Sequence, residues 1–324
     1  MAILSEAERE AEESNGTRGS HDARTTIGTD PVTGERRKVI HADAGEEIRL
    51  TPIDLGPDGG LPLTLEGDGR FVLSDADFGF DEWHRSHTVI VAGKADLDLC
   101  NYYYARIILR DQARAFIEEC ERVDAYGSSL LRTSPGGFPV TLHDHARGVV
   151  ERRRVGRGCP QYPQHHPVTC RDDSRALAIG VGSLVLEDRS KAAVFEDAHV
   201  VMRGRSKADL YDEVTAEMHG ATTARISDDV KVEAGGVAVV DGGASTKYLV
   251  PFIGPIVGPD WEYLVFADES HGMKAASPAN VTLHGRACTG SRFGVRPEFI
   301  GRSTAARVLG EAPAEGGAAP ALER

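Results

Sequence analysis

The densest set of side chains able to do chemistry is Cys159-Pro-Gln-Tyr-Pro-Gln-His165-His166-Pro-Val-Thr-Cys170. Two thiols and two imidazoles are the ligand set of a tetrahedral zinc site. Cys159, His165, His166 and Cys170 are therefore the candidate metal ligands, and zinc the candidate cofactor. The C-x5-H-H-x3-C spacing matches no standard finger, and a proline-bounded surface loop is the competing reading. A second group, His143-Asp144-His145, could bind metal or exchange protons, and its competing reading is a pair of exposed turn residues. His84 and His87 beside Trp83 raise the same question. Arg152, Arg153, Arg154 and Arg157 form the one basic cluster, suited to a phosphate or an anionic glycan. Tyr102, Tyr103 and Tyr104 could stack on sugars, although on a strand alternate members face opposite sides. The sequence contains no P-loop, dinucleotide fingerprint, nucleophile elbow or HExxH helix. No catalytic residue and no organic cofactor follow from it.

The elements that must carry these groups are set by a repeat. From 170 to 241 the chain reads as nine ungapped octads, among them CRDDSRAL, AIGVGSLV, LEDRSKAA and VFEDAHVV. Position 1 is apolar, from Cys170 and Ala178 to Ile226 and Ala234. Position 3 is always Asp, Glu or Gly, position 5 is small or β-branched, and position 7 is Ala, Val or Leu. Positions 5, 7 and the next 1 are spaced by two, so on an extended segment they share a face. Position 3 then falls in the bend, where Gly takes positive φ freely and Asp tolerates it. One octad is thus one short strand and one turn with an apolar face it cannot bury alone, so successive coils must stack. The expected fold is an all-β solenoid, or β-helix, of eight-residue repeats with β-rich flanking caps. Calcium is not expected, because Gly fills four of the nine turn positions.

The register extends upstream through 101–132 and again at LHDHARGV, 142–149. Ile108, Gln112, Phe116 and Cys120 also recur at the interval of four that suits a helix. Asp111 and Gly127 land on the turn position and favour the octads. Small residues at position 5 suit a thin coil of two octads, and large residues at position 1 suit a wider coil of three; both stay open. Runs such as LEDRSKAAVFEDAHVVMRGRSKADLYDEVTAEMHG resemble short-period octapeptide repeat β-solenoid proteins of bacterial and phage type. That resemblance covers about 101–241 and implies an architecture, with no site residues.

The expected organisation is a disordered acidic tail (1–35), a β-rich cap (36–92) and the solenoid (93–241). A C-terminal β-rich region (242–308) and a flexible tail (309–324) complete it. The formal net charge of −13 is concentrated at the front, where residues 1–100 hold 21 Asp and Glu against 10 Lys and Arg. A basic nucleic-acid footprint is not expected on such counts. The chain has no signal-peptide pattern and no apolar run long enough to span a bilayer, so no membrane is expected. Five scattered cysteines fit a reduced compartment, hence a cytoplasmic setting, or a virion-associated one for a phage product. The leading expectation is a non-enzymatic structural or binding module, phage-related or surface-assembling, whose partner is an unidentified protein or glycan. Open sheet edges would also allow homo-oligomers. The alternatives are a solenoid lyase or hydrolase acting on polysaccharide, with Asp197, Arg203 and Arg205 converging in a groove, and a zinc-binding protein.

Overall fold

A computed structural model of the chain describes residues 25–30, 33–50, 61–74, 87–100, 105–133, 137–151, 167–226, 230–242, 281–283 and 288–289. The chain divides into two compact units, 1–131 and 132–324. Among the described residues every regular element is a β-strand. The first unit holds β1 (Thr25–Thr29), β2 (Arg36–Ala42), β3 (Glu47–Leu50), β4 (Leu63–Gly67), β5 (Arg70–Ser74), β6 (His87–Val91), β7 (Asp96–Cys100), β8 (Ala105–Leu109), β9 (Arg114–Ile117) and β10 (Arg122–Ala125). The division falls within β11 (Leu130–Thr133). The second unit holds β12 (Val140–Leu142), β13 (Arg147–Glu151), β14 (Val168–Cys170), β15 (Arg175–Ile179), β16 (Gly182–Leu186), β17 (Lys191–Phe195), β18 (Ala198–Met202), β19 (Lys207–Leu210), β20 (Thr215–Met218), β21 (Thr223–Ile226), β22 (Lys231–Ala234), β23 (Val239–Gly242), β24 (Val281–Leu283) and β25 (Cys288–Thr289).

In each unit consecutive strands alternate between two sheets. Even-numbered strands build one sheet and odd-numbered strands the other, with β1 added at the end of the even sheet. β1 pairs with β2 antiparallel, and the coil-to-coil pairs are parallel, as in Arg175↔Lys191 and Leu184↔Val200. The chain is therefore an all-β solenoid. Arg175 pairs with Lys191 and Lys191 with Lys207, each partner standing two octads further along. A coil thus holds two octads. The strands β8 and β9 stand where a helix competed with the octads, and the octads hold.

Strand and turn fall where the repeat places them. Position 3 is left-handed at Asp111, Asp144, Asp172, Asp188, Glu196 and Asp212, with φ between 53° and 65°, and at Gly127, Gly180, Gly204, Gly220 and Gly236. Positions 5, 7 and 1 face inward. Ser190, Val194, Leu184 and Leu186 are all fully buried. Between Cys170 and Met202 the odd sheet offers Ala176 and Ala192 at position 7, whereas the even sheet offers Leu184 and Val200. Small residues on one inner face thus admit larger ones on the other, which is how a thin coil reaches close packing with large residues at position 1.

In the turns, backbone N–H groups donate to the preceding coil: Arg171 to Leu142, Asp173 to Asp144 and Arg175 to Ala146. The position-3 N–H takes a different acceptor, the carboxylate of the next coil's position-3 Asp. Gly93 donates to Asp111 (3.1 Å), Asp144 to Asp172 (3.1 Å), Asp172 to Asp188 (3.3 Å) and Glu196 to Asp212 (2.9 Å). Asp recurs at position 3 because it accepts this donor as well as tolerating the backbone.

Coil length varies outside the regular run. The partners Lys38↔Leu63, Glu47↔Arg70 and Val89↔Ile107 each stand more than two octads apart in the chain. Within the first unit, β2 to β6, from the segment read as a cap, share both sheets with β7 to β10, without a break near residue 93. β1 lies within the segment read as a tail. After it, Asp30 is buried and its carboxylate accepts from the Arg110 guanidinium at 2.8 Å, with Arg37 at 3.6 Å.

Candidate functional site

Positions 6 and 8 point out of the coil, and there the charged side chains stack by register. On the odd sheet of the first unit, position 6 runs Glu47, Arg70, Asp96, Arg114, each the direct partner of the next. The signs alternate. Arg70 donates to Asp98 at 2.6 Å and lies 3.5 Å from Glu47. On the even sheet Asp124, buried, lies between Arg122 (2.7 Å) and Arg106 (3.1 Å). The turns of the second unit alternate too, with Arg171–Glu187 at 3.0 Å, Glu187–Arg203 at 3.7 Å and an Asp173–Arg189 pair.

Like charges are stacked as well, as in Glu217↔Glu233 on the even sheet, and one such column is four residues long. On the odd sheet of the second unit, position 6 runs Arg147, Arg175, Lys191, Lys207, again each the direct partner of the next. All four are cations, spaced by one strand, about 4.8 Å. The first three are half-buried and Lys207 is exposed. None of the four is ion-paired with a carboxylate among the described residues, whereas the alternating stacks set each charge beside an opposite one. Burial and the neighbouring Arg175 lower the pKa of the Arg147 guanidinium. Burial, Arg175 and Lys207 lower that of the Lys191 ammonium, with Asp173 opposing.

Beside the ladder, position 8 carries Val149, Leu177 and Ala193, all buried, followed by Asp209 and Arg225. A hollow of about 220 Å³ opens at this end, lined by Lys191, Ala192, Lys207, Ala208, Asp209, Thr223 and Arg225. The Asp209 carboxylate is 16% exposed and 4.0 Å from the Arg225 guanidinium. Burial raises its pKa, against the opposing pull of Arg225. Phe195 and Tyr211, from consecutive coils at position 2, stack face to face with centroids 4.4 Å apart.

Of the residues singled out from the sequence, those among the described residues are dispersed. Cys170 is a fully buried core residue on β14, and burial pushes its thiol to about 12. Cys159, His165 and His166 lie outside the described residues, as do Trp83, His84, the 152–157 arginines and Tyr102 to Tyr104. Arg147 pairs with Arg175 across more than two octads of chain, so the coil that contains β13 and β14 is longer than the regular ones. His143 and His145 flank the left-handed Asp144 in a turn. His87 is buried at position 5 of β6, where burial lowers its pKa. Asp197 sits in the β17–β18 turn, whereas Arg203 and Arg205 sit in the β18–β19 turn on the opposite edge of the coil. The three therefore build no common groove, which corrects that expectation.

The cation column was missed from sequence, although its signal is there. From Arg175 to Lys207 position 6 of every second octad is basic, while Ser183 and His199 hold it in the octads between. Only a two-octad coil brings the alternate ones together.

Among the described residues no group of three or more His, Cys, Asp or Glu is arranged to hold a metal ion, and no helix is long and apolar enough to cross a membrane. Comparison with protein-family models, curated proteins and solved structures returned no match.

Proposed function

We propose that this solenoid is a non-enzymatic binding module that holds an extended anionic polymer against the odd sheet of its second unit. The observation that carries the reading is the Arg147–Arg175–Lys191–Lys207 ladder. Like charges directly opposite one another on a sheet are destabilising. On the odd sheet of the first unit the same fold alternates the signs of stacked charges, and Asp124 sits between the stacked Arg106 and Arg122, so a column of four cations with no carboxylate partner among the described residues is a feature that packing alone would not favour. A polymer with one anion per strand spacing would neutralise it. The parallel backbone ladder supplies the rigidity that keeps cations in place at little entropic cost on binding. The scattering of Asp197, Arg203 and Arg205 supports binding without turnover.

The test is equilibrium binding of polygalacturonate, inorganic polyphosphate and neutral dextran at low and at high salt. Binding of at least one anionic polymer that weakens with salt, with no binding of dextran, is the expected result. Equal binding of dextran and the anions, or no binding of any of them, contradicts the proposal. Shortening of the polymer with turnover would make the chain an enzyme instead.

A further inference from the structure

Resting on that reading, we infer that the hollow formed by Lys191, Lys207, Asp209, Thr223 and Arg225 is a subsite for one acidic sugar residue, so that the polymer is an acidic polysaccharide. The hollow sets an acceptor among donors. Lys191, Lys207 and Arg225 supply only donors and positive charge. Asp209 supplies a carboxylate in the middle of them, tied to Arg225 at 4.0 Å and largely withdrawn from water. A bare polyanion such as polyphosphate gains from the cations but meets only repulsion at Asp209. A neutral glycan gives Asp209 a hydroxyl and offers the Lys191 and Lys207 ammonium groups no charge. A uronate residue carries both: its carboxylate takes the Lys191 and Lys207 ammonium groups, and a hydroxyl on the same ring donates to Asp209. Thr223 adds a group able to donate or accept. The hollow, about 220 Å³, is smaller than the roughly 300–1,000 Å³ of pockets that engulf a whole ligand. It therefore fits a single monomer of a chain whose remainder lies along the ladder.

The experiment is calorimetric titration of the full chain with a short oligogalacturonate, a polyphosphate of matched charge and a neutral oligogalactan. The unmodified protein is compared with Asp209→Asn and with Lys207→Gln. A hydrogen bond to a charged group is worth about 1.5–3 kcal/mol, or about tenfold or more in affinity. Oligogalacturonate is expected to bind the unmodified protein about tenfold more tightly than polyphosphate, and the neutral oligomer not measurably. Asp209→Asn should lose about that factor for oligogalacturonate and leave polyphosphate unchanged or tighter, with a melting temperature no lower than that of the unmodified chain. Polyphosphate binding as tightly as oligogalacturonate overturns the sugar subsite and leaves the anionic-polymer reading standing. Absence of binding by either anion, with Lys207→Gln equally inert, overturns both. The comparison of probes on unmodified protein decides the point even where a variant folds poorly.

Discussion

Asp212 does two jobs at φ 60°. It holds a left-handed conformation that most residues avoid, and its carboxylate takes the Glu196 N–H of the coil below at 2.9 Å. Asp212→Ala forfeits both, for an expected loss of about 1–2 kcal/mol in urea unfolding. Asp212→Asn keeps an acceptor and tolerance of the left-handed region, so it should lose less than half as much; equal losses would show that the hydrogen bond contributes nothing. The Ser190 and Ser206 hydroxyls are fully buried without a hydrogen-bond partner. Serine is there for its size at the tight corner, not for its oxygen. Ser190→Ala should accordingly leave stability unchanged or raise it by up to about 1 kcal/mol, and a clear loss would contradict this. The turn residues were legible in the sequence because Asp, Glu and Gly share a requirement that few others meet. The second role of Asp was not, since its partner lies a full coil away along the chain.

At the scale of strands, the informative contrast is between two columns at the same repeat position. In Glu47–Arg70–Asp96–Arg114 each charge has opposite neighbours, whereas in Arg147–Arg175–Lys191–Lys207 each has like ones. Arg70→Gln should therefore lower stability and Lys191→Gln should raise it, each by about 0.5 kcal/mol, with opposite shifts in melting temperature. Shifts of the same sign would mean that the ladder is cancelled by something other than a ligand. Legibility failed here for a geometric reason. Lys191 and Lys207 are adjacent only when two octads close a coil, and the octad pattern alone is compatible with two or three.

Across the whole chain, what was legible is what repeats. From Val168 to Gly242 the chain winds in uniform two-octad coils, and there the alignment of octads located strands, turns and inner faces. Between Lys38 and Asp96 the coils are longer, as the partners Lys38↔Leu63, Leu63↔Val89 and Arg70↔Asp96 show. Insertions there hide the period, and strands of the same stack read as a separate cap. Within the regular run, coils approach closely: a Cβ on Gly204, at φ 70°, would sit 2.9 Å from the Asp188 carbonyl oxygen. Gly204→Val should therefore destabilise by about 2 kcal/mol or more, measured by thermal unfolding, and a neutral outcome would argue for slack between coils. The uniform coil is also what turns single cations into a ladder. The most direct measurement is the affinity of polygalacturonate for the unmodified chain and for Lys191→Gln/Lys207→Gln across a range of salt. The predicted result is an affinity that falls with salt, is reduced about tenfold or more in the double variant and shows a shallower salt dependence there, while the melting temperature does not fall. The same affinity and the same salt dependence in both proteins would contradict it.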